Sequence, residues 1–427
     1  MGGFERFILE NEEADTSRLL LSNVDWPSPP DDSLLSLFDG KELAVNTIEA
    51  RKKLRNKVPE WYSISALVYP SALCAEQCSS SVTAHYKASL AERIAGRDCR
   101  VADLTGGLGV DSWAFSRIAS EVLYNERDPR LVAAAKHNFP ELGVRNVRFS
   151  NQDVTQDSVG AVLGFFNPDI VFLDPARRAS DGRKVFFLED CSPDVLGLVP
   201  ELFSHCRHIL LKLSPMADIS LVVEQLDRSY EEYLEKSSGT GWNGRWVREV
   251  HVVSTGGECK ELLVWMDREW NGDYSVTCRE DGSAILFEAG EIAGAKPVFP
   301  ESTYMKYLFE PGKSLSKAGV ANALCGRFGL VRLARSTNLF AMESGRDLSA
   351  FGKVYDVEDV LKMDKRAFRE VGKRYPHSEV SARNIPLSSD ELRARLGVKS
   401  GDDAHIFGVR IETPFEAGNF LLVCHRI

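Results

Sequence analysis

The 427-residue sequence predicts a doubly wound α/β domain over about 96–270, with a helical segment before it and a separate α+β module after it. Three observations predict this. Short apolar, β-branched runs alternate with helical spacings of about ten residues between 99 and 214, the pattern of βαβ crossovers in a parallel sheet. A glycine-rich turn, Thr105-Gly106-Gly107-Leu108-Gly109, joins the first run to the first helix of that series. Beyond residue 301 the charge balance turns from acidic to basic, which marks a part with a different task.

Taken in order, residues 41–57 follow a Pro-rich stretch (26–32) and carry a helical spacing that ends before Pro59. Residues 80–95 predict a second helix with Ser80 or Ser81 as its N-cap. Strands are expected over 99–104, 121–126, 147–152, 169–174 and 208–214, with helices over 110–119, 129–138 and near 217–228. Residues 247–255 and 261–267 lie close together and predict an antiparallel pair at one sheet edge. A β-hairpin is expected over 274–289 around Glu280-Asp281-Gly282. Segment 301–427 mixes short strands with helices expected near 356–373 and 389–396. The expected organisation is a helical segment 1–95, an α/β domain 96–270, a small β-hairpin bridge 271–325 and an α+β domain 326–427.

Composition narrows the function classes. With 44% hydrophobic and 27% charged residues the chain is globular rather than disordered. A net charge of −10 argues against a nucleic-acid partner, since phosphate binding needs a basic footprint. Residues 301–400, however, hold 18 Lys+Arg against 12 Asp+Glu, which leaves a net of −16 for the rest. The start lacks a basic n-region followed by an apolar h-region, and no run approaches the ~18 apolar residues of a membrane span. The nine cysteines are scattered and none forms Cys-x-x-Cys, so reduced thiols in a cytoplasmic protein are expected and no metal is implied.

A glycine turn between strand and helix lets a ligand approach the backbone and the helix N-terminal N–H groups. Alone it is weak: Gly107-x-Gly109-x-x-Ser112 also approximates the dinucleotide fingerprint of a dehydrogenase, without its third glycine. Carboxylates at successive strand ends sharpen it. Glu126 closes the second strand, where an acid can accept from ribose hydroxyls; Asp153 follows the third, placed for an adenine amino group; Asp174 ends the fourth. In an open parallel sheet these ends converge on one crevice.

Asp103-x-Thr105-x-Gly107-x-Gly109 resembles motif I of class I S-adenosylmethionine-dependent methyltransferases, with Thr105 where the commonest form has glycine. The stretches AEQCSSSVTAHYKASL, DLTGGLGVDS, FLDPARR, LLKLSPMADI and GECKELL together resemble a bacterial methyltransferase family with a THUMP-like C-terminal domain, over about 70–427. The resemblance implies a Rossmann-like sheet and S-adenosyl-L-methionine as cofactor. It places Asp103 and Gly106, Gly107 and Gly109 at the methionine part, Glu126 at the ribose and Asp153 at the adenine. Thr83, Thr105, Asp111 and Asp174 complete the expected cofactor set, and Asn138 resembles a helix asparagine common in RNA methyltransferases.

Asp174-Pro175-Ala176-Arg177-Arg178 occupies the motif IV position, where the methyl acceptor meets the sulfonium, and supplies no aromatic ring to stack on a flipped base. It is similar to the Asp-Pro-x-Arg of RNA 5-methyluridine enzymes, but their cysteine after the fifth strand is replaced here by Ser214-Pro215. Arg177, Arg178, Arg183 and Lys184 can contact phosphate or form a solvated loop. Lys87, Asp174, Lys212 and Glu258 (or Glu261) follow the order of the Lys-Asp-Lys-Glu tetrad of ribose 2′-O-methyltransferases, in which a lysine helps deprotonate a hydroxyl. The alternative is a Lys212 that snorkels and pairs locally with Glu258.

Lys362, Arg366, Arg369 and Lys373 have i, i+3, i+4 spacing, which can track a phosphate backbone or simply be a solvated face. The resulting expectation is methylation of structured RNA, with Arg177, Arg178, Arg366 and Arg369 holding it and no protein partner implied. Methylation of a small molecule or protein, or RNA binding without chemistry, are the alternatives.

Overall fold

The computed structural model describes residues 2–177, 188–238, 245–343 and 347–427. Two compact units emerge: Met1–Arg248 with Leu263–Gly272, and Glu249–Leu262 with Asp273–Ile427. Among the described residues, no helix is long and apolar enough to cross a membrane.

The first unit opens with seven described helices: α1 (Gly3–Glu10), α2 (Thr16–Leu21), α3 (Asp32–Leu35), α4 (Gly40–Lys57), α5 (Pro59–Tyr62), α6 (Ala72–Gln77) and α7 (Ser81–Ala95). Side chains set their starts: Asp39 caps the N–H of Lys41, and Ser80 caps that of Thr83. The helix expected over 41–57 is α4, whose Leu43, Ala44 and Ile48 form a buried cluster with Val68, Ala133 and Ala134.

Then strands and helices alternate as β1 (Arg100–Asp103), α8 (Val110–Phe115), β2 (Glu121–Asn125), α9 (Pro129–Glu141), β3 (Val147–Ser150), α10 (Val159–Leu163) and β4 (Ile170–Leu173). A two-residue pair follows, β5 (Ala176–Arg177) antiparallel to β6 (Cys191–Ser192), then α11 (Val195–Leu202), β7 (His208–Leu213) and α12 (Ile219–Ser238). The order β3-β2-β1-β4-β7 is parallel throughout, so the chain reverses direction across the sheet between β1 and β4. The inner strands β1, β2, β4 and β7 are buried on both faces, as βαβ crossovers require, whereas the edge strand β3 is partly exposed; Val101, Val122, Ile170 and Leu210 are fully covered. The crevice outside the carboxyl ends at that reversal is where such sheets bind ligands.

Asn138 of α9 has a structural task. Its Oδ1 accepts from the N–H of Val68 at 2.9 Å and its Nδ2 donates to the Val68 carbonyl at 2.8 Å, a two-way amide clasp between α9 and the segment before α6.

The hairpin strands β8 (Val247–Thr255) and β9 (Glu258–Asp267) run through both units. In the second unit β8 is no edge: β10 (Ser275–Glu280) pairs parallel with it, and β11 (Ser283–Glu288) pairs antiparallel with β10 around Asp281-Gly282. The hairpin expected over 274–289 is this pair. After α13 (Ala289–Gly294) come β12 (Tyr307–Pro311), α14 (Lys313–Ala318), α15 (Ala321–Phe328), β13 (Val331–Ala334), β14 (Thr337–Met342), β15 (Gly352–Lys362), α16 (Lys365–Arg374), β16 (Glu379–Arg383), α17 (Ser389–Leu396), β17 (His405–Glu412) and β18 (Ala417–Arg426). They form a seven-stranded sheet in the order β13-β14-β12-β15-β18-β17-β16, with α16 and α17 packed on Ile406, Leu421 and Val423.

Two expectations are corrected here. The boundary at 325/326 falls inside α15, and the sheet already begins with β12. The helix expected over 356–373 starts only at Lys365, because 352–362 is a strand paired with both β12 and β18. A register shift between Val357 and Asp359 explains the misreading. It turns both Val357 and Val360 onto one apolar cluster, so a bulged strand displays an i, i+3 spacing. Lys362 therefore ends a strand, and only Arg366, Arg369 and Lys373 of the proposed stripe share a helix.

Candidate active site

The glycine turn is built around three side chains. Asp103, at the end of β1, is fully buried; its Oδ1 accepts from the Thr105 N–H at 3.1 Å and its Oδ2 lies 2.5 Å from Ser112 Oγ. Both oxygens thus serve the turn itself. Tyr124 of β2 lies across the turn and donates its hydroxyl to the Gly107 carbonyl at 2.7 Å. A Cβ on Gly106 would stand 2.3 Å from that ring, so only glycine fits; Gly107 and Gly109 have φ of +52° and +95°, which glycine adopts freely. Asn125, a residue the sequence reading missed, donates to the Leu104 and Gln152 carbonyls and ties the ends of β1 and β2 to the loop after β3.

Burial pushes the Asp103 carboxyl up to about 8, with nearby Asp111 and Asp174 adding to the rise while Ser112 and the Thr105 N–H oppose it. The sign follows by linkage. An acid raised in the fold contributes stability that is complete below its unfolded value near 3.8 and is lost as pH climbs toward 8. Asp103→Asn, which cannot titrate, is expected to flatten the fall of Tm between pH 5 and 8; an unchanged slope would show that Asp103 is already ionised in the fold.

The turn opens on a cleft of about 580 Å³, within the ~300–1,000 Å³ of small-molecule sites. Its floor is the turn and its far wall carries Glu126, Asp128, Leu131 and Asp153. Both Glu126 oxygens are oriented by backbone, accepting from the N–H groups of Gly107 and Asp128 at 2.9 Å each. Asp153 is exposed.

At the other end, the Thr105 hydroxyl accepts from the Asp174 N–H at 2.6 Å, so the turn and the end of β4 are joined directly. Here the threonine has a function that glycine lacks. Lys212, on β7, places its Nζ 2.5 Å from Asp174 Oδ2, with the lysine side chain 13% and the aspartate 35% exposed. Both line the cleft.

The remaining wall comes from the helical segment: Cys74, Gln77, Cys78 and Ser79. Burial pushes the Cys78 thiol up to about 11, which keeps it neutral. The sequence reading missed this wall, although the motif AEQCSSS contained it.

Of the four tetrad positions, Asp174 and Lys212 pair with each other. Lys87 is wholly buried against Asp111 (3.2 Å) and Ser79 (3.1 Å), while Lys212 holds Asp174. Glu258 is exposed and pairs with Lys260 two residues on. Glu261 is buried in β9. Thr83 is buried and bonded to Ser80; it is not among the cleft-lining residues. Arg177 belongs to β5 beside Ala176, which lines the cleft; Arg178, Arg183 and Lys184 lie outside the described residues.

Comparison with known proteins gives three kinds of match. The family model described as THUMP domain-like matches residues 352–426, from β15 through β18. An uncharacterized S-adenosylmethionine-dependent methyltransferase of Mycobacterium tuberculosis (strain H37Rv) is 25% identical over 345 residues, 79% of this chain and 83% of that protein. The 23S rRNA (uracil(1939)-C(5))-methyltransferase of Aeromonas salmonicida is 39% identical over 83 residues, 19% of each chain. A crystal structure from Porphyromonas gingivalis W83, described as that of a candidate methyltransferase, superposes with a TM-score of 0.81 at 29% identity, over 99% of this chain and 97% of that one.

Proposed function

We propose that this chain, a class I S-adenosylmethionine-dependent methyltransferase with a THUMP-like C-terminal domain, methylates structured RNA. The lining of the cleft suits the cofactor: a backbone-held Glu126 for a ribose diol, an exposed Asp153 for an exocyclic amine, and a glycine turn that a side chain would obstruct. S-adenosylmethionine supplies an electrophilic methyl on a sulfonium whose leaving group is a neutral thioether, so positioning is the main demand on the protein. Asp174 is placed to accept a hydrogen bond from the acceptor's O–H or N–H. Lys212 fixes that carboxylate and adds positive charge beside it. The nine cysteines are free thiols, and we place the protein in the reducing cytoplasm.

One observation carries the choice of RNA. Helix α16, inside the THUMP-like match, buries Ala367 and Val371 and exposes Lys365, Arg366, Arg369 and Lys373. Arg369 and Lys373 form no ion pair among the described residues, and Arg366 reaches only a loose one with Glu370 at 4.0 Å. Uncommitted cations on one helix face are what a phosphate backbone recruits. The partial likeness to a 23S rRNA methyltransferase supports the same reading.

Transfer of labelled methyl from S-adenosylmethionine to RNA from a strain lacking the protein tests the proposal; label that enters protein or small molecules while RNA stays unlabelled would refute it. Arg366→Glu with Arg369→Glu is expected to weaken RNA binding about tenfold or more and to reduce the salt dependence by about one to two phosphate contacts. S-adenosylhomocysteine affinity should be unchanged in a titration, which separates RNA docking from the cofactor site.

A further inference from the structure

We infer that Phe415, at the tip of the hairpin joining β17 to β18, stacks on an unpaired nucleobase of the bound RNA. This rests on RNA being the substrate and adds the local form that is read: a loop, bulge or single-stranded end rather than a continuous duplex.

The hairpin carries the ring rigidly. β17 and β18 pair from His405 with Cys424 up to Glu412 with Ala417. Phe407, Val409 and Ile411 of one strand and Phe420 and Leu422 of the other belong to one buried cluster, which fixes the base of the hairpin. Its tip is the turn Thr413-Pro414-Phe415-Glu416. The Thr413 N–H donates to the Glu416 carbonyl at 2.8 Å. The Thr413 hydroxyl accepts from the N–H groups of Phe415 and Glu416 at 3.3 and 3.0 Å, and donates to that same carbonyl at 3.1 Å. Pro414 adds a fixed φ just before the aromatic residue. Little backbone freedom is therefore left to lose when a ligand arrives.

On this frame Phe415 is 89% exposed. A single apolar residue on a surface is ordinary, so exposure alone means little. Its surroundings give it a meaning. Lys362, the last residue of β15, brings its Nζ within 3.8 Å of Glu416, the neighbour of Phe415, and is itself 72% exposed. On the β13–β14 side the N–H of Arg335 reaches Glu412 at 3.4 Å, and the exposed Arg335 forms no ion pair among the described residues. Arg410 is held by Glu412 at 2.9 Å, so each acid of the tip already faces a cation. From Lys362 the chain passes through Met363, whose N–H donates to the Asn419 carbonyl, and enters α16. Residues 362–373 hold five Lys and Arg against two Asp and Glu. The ring thus stands at one end of the cationic run on α16.

An aromatic face beside cations is the pairing that unpaired nucleic acid needs: the ring holds a base while the cations hold the backbone. A duplex keeps its bases stacked on one another and offers such a ring no face. A protein partner would need an apolar patch, whereas among the described residues of the THUMP-like match Phe415 is the one exposed large apolar side chain.

The test measures binding of two synthetic RNAs to the full-length protein: a stem-loop with an unpaired oligouridine loop, and the same stem as a plain duplex. Phe415→Ala and Phe415→Leu are each expected to weaken stem-loop binding about five- to a hundredfold, the loss of one stacked base, and to leave duplex binding within about twofold. Phe415→Trp should keep stem-loop binding within about threefold of wild type. The emission of the added tryptophan, read over that of the chain's own seven, should be quenched by the stem-loop and not by the duplex. The position is exposed, so all three variants should melt like wild type. If Phe415→Ala and Phe415→Leu bind the stem-loop normally while Arg366→Glu with Arg369→Glu does not, the stacking is overturned and the RNA reading stands. A loss confined to Phe415→Ala marks an apolar contact instead of a stacked ring and overturns the stacking, as does an equal loss on the duplex. A wild-type protein that binds neither RNA overturns the RNA reading, and the stacking with it.

Discussion

Lys212→Met is expected to reduce the turnover of methyl transfer by about 10²–10⁴-fold, the range of general acid–base and positioning effects, with S-adenosylhomocysteine affinity changed only a few-fold. The reason is the direct contact between Lys212 Nζ and Asp174 Oδ2 at the end of the cleft beside β4 and β7. Methionine keeps the unbranched stem within β7, whose neighbours Leu211 and Leu213 are buried, so the sheet should tolerate it. What is lost is the charge that orients Asp174, the only carboxylate among the cleft-lining residues at the end of β4. Single-turnover rates with saturating cofactor would measure the effect without interference from product release. A rate within threefold of wild type would remove the pair from the chemistry. In that case Arg177 of β5, not Lys212, becomes the residue to examine at this end.

Gly106→Ala is expected to weaken S-adenosylhomocysteine binding by about a hundredfold or more and to cost ~1–3 kcal/mol of stability, the usual range for overpacking. The added methyl would sit 2.3 Å from a ring carbon of Tyr124. Tyr124 cannot swing away cheaply: it is fully buried, it packs on Phe139 and Phe149 at centroid distances of 5.9 and 5.7 Å, and its hydroxyl holds the Gly107 carbonyl. The turn must therefore shift instead, carrying with it the Gly107 N–H that orients Glu126. Tyr124→Phe is the control, since it removes only that hydroxyl and should cost about 1 kcal/mol. Titration and thermal melts of the two variants check the argument. Normal affinity in Gly106→Ala would mean the turn has room that the Tyr124 packing denies it.

These residues also show how far the sequence could be read. The parallel strands and the turn were legible because the alternation of apolar runs and helices, and a glycine at each tight position, leave a local imprint. Glu126, Asp153 and Asp174 were legible for the same reason, as each follows closely on the carboxyl end of a strand. What was hidden depends on contacts between distant positions. Nothing near Asn138 in sequence points to Val68, seventy residues away. Glu258 looked like a partner for Lys212 until Lys260, two residues on, took it. The Cys74–Ser79 wall was read as part of a familiar motif with no geometry attached. In the C-terminal unit the period itself misled, because a bulge in β15 gave a strand the spacing of a helix.

The Asn138 clasp has a consequence for how the first unit folds. Its two bonds satisfy the N–H and the C=O of Val68, a fully buried residue whose backbone would otherwise be stranded away from water. Around it, Leu43 and Ile48 from the opening helices share one apolar cluster with Ala133 and Ala134 from the sheet's second crossover helix. Neither side of that cluster is complete alone. In thermodynamic terms the first 95 residues are expected to melt together with the sheet, in one transition, rather than ahead of it. A fragment cut to start at Arg100 would expose the cluster, strand the Asn138 amide and lose one wall of the cleft, so the smallest autonomous piece of this enzyme is larger than its catalytic sheet.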